Sequence, residues 1–145
     1  MNKIYTEPNQ CPRCGITEED FLHTIKCPTE QATEIWEVGV RDVHKLISKN
    51  VSDTLATTID SILTRWHDGL DITNPLPPYS PFYNLIQDQT RIGWDSFVIG
   101  RLSKEWSNAT TSTDAYGNPK RWVASLIQKL ALTIWNMWDH RNTIK

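Results

Sequence analysis

Apolar residues recur every three or four positions along most of the chain, which is the spacing of one face of an α-helix. One stripe consists of Ala32, Ile35, Trp36, Val40, Val43, Leu46 and Ile47, and the next of Leu55, Ala56, Ile59, Ile62, Leu63 and Trp66. Asn50 is expected to end the first helix, Ser52 to cap the second, and Gly69 to close it. No stretch shows the period-two alternation of a strand, and no tight-hairpin signal is present. The pattern therefore predicts an all-α fold.

The second half of the chain begins with a proline-rich segment, residues 70–81, which contains Pro75, Pro77, Pro78 and Pro81. Such a segment cannot be helical throughout, so it is predicted to be a linker or a strap over the surface. Helical spacing resumes with Trp94, Phe97, Val98, Leu102 and Trp106. After a polar loop over residues 107–118, Pro119 is expected to begin the final helix. That helix carries on one side the apolar residues Trp122, Leu126, Leu130, Ile134, Met137 and Trp138.

A chain of 145 residues is long enough for one compact domain with a hydrophobic core. Within it we predict a metal-binding knuckle over residues 1–29, a helical pair over 30–69, the proline-rich linker over 70–81 and tryptophan-rich helices over 82–145. The expected architecture is an N-terminal zinc knuckle followed by a bundle of about four to five helices.

The knuckle is predicted from the string Cys11-Pro-Arg-Cys14-Gly15, followed by His23 and Cys27. Two thiolates separated by two residues can bind one cation, and backbone N–H groups of the turn point at the sulfurs. Thr17 is expected to cap a helix on which His23 and Cys27, four residues apart, share a face. Three sulfurs and one nitrogen are a ligand set typical of Zn²⁺, and four protein ligands leave no position for a catalytic water. We predict one structural zinc ion.

Two alternatives to a metal site remain open. The three cysteines can be buried thiols beside a surface histidine, which is the less favoured reading because the motif uses every cysteine of the chain. A thioredoxin-like redox pair is less favoured still, because no βαβ pattern surrounds Cys11 and Cys14.

The charge of the chain is unevenly distributed. The net charge is −2, but residues 119–145 carry five Lys/Arg against Asp139 alone. Any attraction to phosphate is therefore expected to be local. The candidate nucleic-acid contacts are Arg13, Lys26, Lys120, Arg121, Lys129 and Arg141. Arg13 lies between two ligands, so its side chain is expected to point outward from the metal.

The remaining histidines and tryptophans suggest no catalytic site. His44 and His67 are expected to face solvent or to lie beside helix caps, and Asp139 and His140, adjacent on a helix, point about 100° apart and form no dyad. No nucleophile elbow, P-loop or dinucleotide fingerprint is present, so we expect a non-catalytic module. Of the seven tryptophans, five are expected in the core: Trp36, Trp66, Trp94, Trp122 and Trp138. Trp106 and Trp135 are candidates for a stacking platform or a partner-helix contact.

The knuckle string, continuing through Cys27-Pro28 to Ile35-Trp36, resembles the zinc-binding region that follows the reverse transcriptase in non-LTR retrotransposon polyproteins. Two later strings, Ile92 to Phe97 with Gly100 to Trp106, and Trp135 to Asn142, resemble the C-terminal tails of such polyproteins in algae and other unicellular eukaryotes. The resemblance implies a zinc site at Cys11, Cys14, His23 and Cys27 that helps to hold template RNA or target DNA near the polymerase. No polymerase motif is present in this chain.

Two functions follow as hypotheses. The first is a zinc-dependent nucleic-acid-binding accessory domain of a retroelement-derived reverse transcriptase, with weak binding of RNA or DNA through a local basic patch. The second is a protein-interaction or architectural module that docks on the polymerase part of a retroelement protein or on a second copy. No apolar run reaches the length of a membrane span, and residues 1–10 lack the apolar region of a signal peptide. An intracellular location, cytoplasm or nucleus, without a membrane partner is expected.

Overall fold

A computed structural model of the chain describes residues 11–15, 20–110 and 121–144. These residues form α-helices joined by turns and loops, with no strand among them, as the apolar spacing predicted. The helices are α1 (Phe21–Lys26), α2 (Glu30–Asn50), α3 (Asp53–His67), α4 (Tyr83–Ile92), α5 (Trp94–Val98), α6 (Glu105–Asn108) and α7 (Arg121–Ile144).

The helix ends in the first half of the chain follow from capping residues. The Ser52 side chain accepts a hydrogen bond from the Leu55 N–H at 3.0 Å, and Gly69, at φ 75°, follows the α3 C-cap, as predicted. Asn50 is the last residue of α2. At α1 the N-cap is Asp20, whose carboxylate accepts from the His23 N–H at 2.7 Å. The predicted cap, Thr17, lies outside the described residues.

The centre of the fold is α2, which packs against both α3 and α7, while α1 packs against α7. The contact of α2 with α7 is close at Gly39, where a Cβ atom would lie 2.9 Å from Thr133 Cβ and closer still to the ends of that side chain. One cluster of buried residues runs from Cys11 to Met137 and includes Ile25 of α1. The metal motif is therefore continuous with the main hydrophobic core.

The second half differs from the sequence prediction in two ways. The predicted helix over residues 94–106 is interrupted, because Gly100 adopts φ 91° and separates α5 from α6. The helix α4 was not predicted, because its buried side includes the polar Gln89. Gln89 is fully buried; its side-chain amide donates to two backbone carbonyls, and its oxygen accepts from the Ser103 N–H and the Trp106 indole. Residues 70–81 contain no helix, as the prolines predicted.

The tryptophans also divide differently from the prediction. Trp106 was a candidate for an exposed platform, but it is 0% exposed and packs against Phe97 and Trp122. Trp138 was expected in the core, but it is 44% exposed, and the buried residue on that turn of α7 is Met137. The stripe of α7 that faces the core also includes the buried Thr133, and the predicted Ile134 is partly buried and packs against the core. No helix among the described residues is both long enough and apolar enough to cross a membrane.

Candidate functional site

The predicted ligands Cys11, Cys14, His23 and Cys27 converge at one point. Their four ligand atoms all lie within 4.8 Å of one another. Cys11 Sγ is 3.8 Å from Cys27 Sγ, and Cys14 Sγ is 3.4 Å from His23 Nε2. Sequence spacing alone predicted this set of side chains, and the structure brings all of them together.

Two short elements position these side chains. Residues 11–15 form a turn in which the Gly15 N–H donates to the Cys11 carbonyl at 2.8 Å, and Gly15 adopts a φ of 68°. A positive φ is adopted at little cost only by glycine, so the turn depends on this residue. On the other side, α1 begins at the Asp20 cap, and one turn of helix separates His23 from Cys27. The turn and the helix each contribute two ligands.

The site is half enclosed. Cys11 and Cys27 are buried, whereas Cys14 and His23 are half-buried. Burial raises the pKa of the Cys11 thiol, and hydrogen bonds from the backbone of Cys14 and Arg13 and from the Arg13 side chain oppose that rise. The backbone N–H groups of this turn therefore favour the thiolate form, as expected for a metal-binding knuckle. Three thiols and one imidazole at these distances can hold one metal ion.

His67 connects the knuckle to the main helices. Its Nε2 donates to the Ile25 carbonyl at 3.0 Å, and its ring stacks on Trp36 with centroids 5.0 Å apart. Of the two placements predicted for His67, the structure shows the one beside the α3 C-cap, and the side chain is buried there rather than facing solvent. Burial lowers the pKa of His67, against the opposing effects of the Ile25 carbonyl and Asp68. Sequence periodicity could not reveal this contact, because the partner is a backbone carbonyl 42 residues away.

The two cations predicted in the knuckle are both engaged within the protein. The Arg13 side chain turns inward, and its Nη2 donates to the Thr24 carbonyl of α1, so the predicted outward orientation is wrong. The physical reason is that α1 presents an acceptor beside the turn. Lys26 places its Nζ 4.2 Å from the centre of the Trp66 ring, a cation–π contact between α1 and α3.

The remaining predicted cations do not form one basic face. Arg121, Lys129 and Arg141 lie on α7 with separations of eight and twelve residues. At about 100° and 1.5 Å per residue, they spread over roughly 200° of the helix circumference and about 30 Å of its length. The Arg141 guanidinium lies 5.1 Å from the Trp138 ring. Lys120 lies outside the described residues.

An apolar groove lies between α1 and α7. The sequence analysis singled out one residue that lines it, Trp135, as a candidate for a stacking platform or a partner-helix contact. The groove has a volume of about 380 Å³ and is lined by Phe21, Thr24, Ile25, Ala131, Ile134, Trp135 and Trp138. Phe21 is 52% exposed and Trp135 is 60% exposed. A signal was present in the sequence, because Ile127, Ala131, Trp135 and Trp138 form a second apolar stripe on α7 beside the one that faces the core.

His140 and His44, the two histidines not yet described, differ in whether a carboxylate lies beside the ring. The Nδ1 atom of His140 is buried and has no hydrogen-bond partner, so this nitrogen is not paired with the neighbouring Asp139. His44 Nδ1 lies 2.6 Å from an oxygen of Asp60, where both side chains are about one-third exposed. This pair joins α2 to α3 at the surface.

Comparison with known proteins adds no assignment. No family model, no curated protein and no solved structure matches the chain.

Proposed function

We propose that the metal held by Cys11, Cys14, His23 and Cys27 is a single structural zinc ion. In tetrahedral zinc sites the Zn–S distance is about 2.3 Å and the Zn–N distance about 2.0–2.1 Å, which sets S···S near 3.8 Å and S···N near 3.6 Å. The separations of 3.8 and 3.4 Å are close to these values. With four protein ligands the site would hold zinc without an open position, so its role would be to fix α1 in place.

The fixed α1 supports a second proposal, that the domain is a non-catalytic protein-interaction module. The observation that carries it is the convergence of Phe21, Trp135 and Trp138 on the apolar groove between α1 and α7. An isolated helix of six residues has no stability of its own, so this wall of the groove depends on the knuckle. The metal would thereby control whether the groove exists.

We propose that the occupant is a short amphipathic helix of a partner protein. The three aromatic side chains expose on the order of 300 Å² in total, since each is about half exposed and a fully buried one covers about 150–250 Å². A stable dimer interface needs about 800 Å² from each partner, so the patch is too small for a second copy alone. A helix bearing two or three apolar anchors matches both this area and the walls of a groove between two helices.

Binding of RNA or DNA stays a prediction, as does a place in a retroelement polyprotein beside its polymerase. The positions of the cations favour this function less than the interaction module. Arg13 and Lys26 are engaged inside the fold, and the cations of α7 do not share a face. A strong phosphate-binding surface requires several cations close together.

The proposal can be tested by selecting helical peptides from a display library against the zinc-loaded protein. We expect the selected peptides to carry apolar residues at i, i+3 or i+4, and i+7. Trp135→Gln should weaken them at least about tenfold, because a central aromatic anchor is lost. The matched control is Tyr79→Gln, which changes an aromatic side chain that is 89% exposed and does not line the groove. This control should leave affinity unchanged.

Three results would contradict the interaction module as proposed. Selected peptides that bind Trp135→Gln as tightly as the wild type would show that the groove is not the site. Concentration-dependent self-association that is lost in Trp135→Gln would make the occupant a second copy. Salt-steep binding of single-stranded or duplex nucleic acid, with no selected peptide dependent on the groove, would favour the nucleic-acid prediction instead.

A further inference from the structure

The Arg13 guanidinium lies inside the knuckle rather than in solvent. Its Nη2 donates to the Thr24 carbonyl on α1, and the guanidinium is near enough to the Cys11 thiol to lower the pKa of that thiol. The other two nitrogens, Nε and Nη1, are buried and have no hydrogen-bond partner. A buried cation with two unsatisfied donors is costly, so the fold should provide an anionic acceptor at this place.

The metal centre supplies such an acceptor when it is loaded. Zinc carries a charge of +2 and the thiolates of Cys11, Cys14 and Cys27 carry −3, so with a neutral histidine the centre has a net charge of −1. A charge of this size in a half-enclosed site is stabilised by a cation and by N–H donors aimed at sulfur. The loaded centre therefore provides the negative charge that the two unpartnered nitrogens of Arg13, Nε and Nη1, lack as an acceptor.

We propose that Arg13 is a positioning residue of the metal centre: it donates to the Cys11 thiolate, balances the charge of the loaded site and ties the ligand turn to α1 through Thr24. The proposal rests on the zinc centre proposed above. It assigns Arg13 a role in metal retention in place of the phosphate contact expected from sequence. The residue is well suited to this role because guanidinium presents several donors in a fixed plane, which the ammonium of lysine cannot do.

The test compares three variants in metal-binding experiments. Arg13→Gln removes the charge, Arg13→Lys keeps the charge but loses the planar donor set, and Lys26→Gln removes a cation adjacent in sequence to Cys27 that contacts Trp66 instead of the sulfurs. Zinc affinity is measured by competition with a chelator. Cobalt(II) substitution reports on the thiolates, because their charge-transfer band shifts to lower energy when a hydrogen bond to sulfur is lost.

We expect Arg13→Gln to weaken zinc binding by about 10–100-fold, which is typical for a group that supports a metal ligand. Arg13→Lys should lie between Arg13→Gln and the wild type. Lys26→Gln should weaken zinc binding by no more than about fivefold, which is the cost of losing its cation–π contact with Trp66. The cobalt charge-transfer band should shift in Arg13→Gln but not in Lys26→Gln. Both variants should retain the d–d bands of tetrahedral cobalt. Far-ultraviolet ellipticity of the loaded variants checks that α2, α3 and α7 are folded.

Wild-type affinity in Arg13→Gln would overturn the proposal. A loss of affinity without any shift of the charge-transfer band would also overturn it, because Arg13 would then tie the turn to α1 without contacting the thiolate. If Arg13→Gln and Lys26→Gln weakened zinc binding equally, the cause would be the loss of positive charge in general rather than a specific contact of Arg13, and the proposal would be overturned. If the wild type binds neither zinc nor cobalt, the metal centre itself is refuted and this proposal with it.

Discussion

If the knuckle holds zinc as proposed, removing the metal with a chelator should melt α1 and the ligand turn while leaving the longer helices folded. Without its ligands held together, α1 is too short to be stable, whereas α2, α3 and α7 span 21, 15 and 24 residues and pack on one another. Because α1 supplies six of the 85 residues in the described helices, the loss of helical ellipticity at 222 nm should be only about a tenth.

The cost to the remaining fold can be worked out from the contacts that α1 makes. Ile25 is fully buried, and its exposure costs about 1.5–3 kcal/mol. The His67 hydrogen bond to the Ile25 carbonyl contributes about 1 kcal/mol, and the Lys26 contact with Trp66 contributes about 0.5–1 kcal/mol. Chelation should therefore lower the free energy of unfolding of the helical core by about 3–5 kcal/mol without unfolding it.

The assay is urea unfolding followed by ellipticity, with and without chelator. Cys27→Ser is the matched control: it should lack metal from the start, resemble the chelated wild type, and show no further change on adding chelator. Cooperative loss of most of the helical signal when the wild type is chelated would refute this reasoning. It would show that the helices depend on the knuckle for their folding.

Three other substitutions test the packing. Gly39→Ala should destabilise the protein by about 1–3 kcal/mol in thermal unfolding, because its Cβ collides with Thr133. Thr133→Ala in the same chain should recover only part of that loss, because it removes the two closest atoms but leaves the two Cβ atoms 2.9 Å apart. His67→Gln should make the free energy of unfolding less dependent on pH. The folded pKa of His67 is lowered, so its contribution is complete above about pH 6.5 and is lost as pH falls below that value. The difference in free energy of unfolding between the wild type and His67→Gln should therefore shrink as pH falls from 7.5 to 5.5. A difference that stays constant over this range would contradict the role given to His67. Gln89→Leu should cost about 2–4 kcal/mol in urea unfolding, because the Trp106 indole and a backbone N–H lose their buried acceptor; a cost below about 1 kcal/mol would contradict that role.

The ligand set and the first two long helices could be predicted from sequence because the information is local. The spacing of Cys11, Cys14, His23 and Cys27 determines which side chains can meet, whatever lies elsewhere in the fold. The stripes of α2 and α3 are likewise separated by clear caps such as Ser52.

The direction of Arg13 and the outer face of α7 could not be predicted in the same way. Arg13 turns inward because the Thr24 carbonyl lies beside the turn, which is a property of the tertiary arrangement. In α7, apolar residues occupy two neighbouring stripes, and periodicity does not say which one meets α2. The close contact at Gly39 and Thr133 places Met137 inside and leaves Trp138 in the groove.

The metal centre is tested most directly by X-ray absorption at the zinc edge on protein loaded with one equivalent of zinc. The proposed zinc centre predicts three sulfur ligands at about 2.3 Å and one nitrogen ligand at about 2.0 Å. Cys27→Ser should fail to retain the metal. A first shell of oxygen and nitrogen only, or of fewer than three sulfurs, would contradict the assignment of Cys11, Cys14, His23 and Cys27 as the ligands.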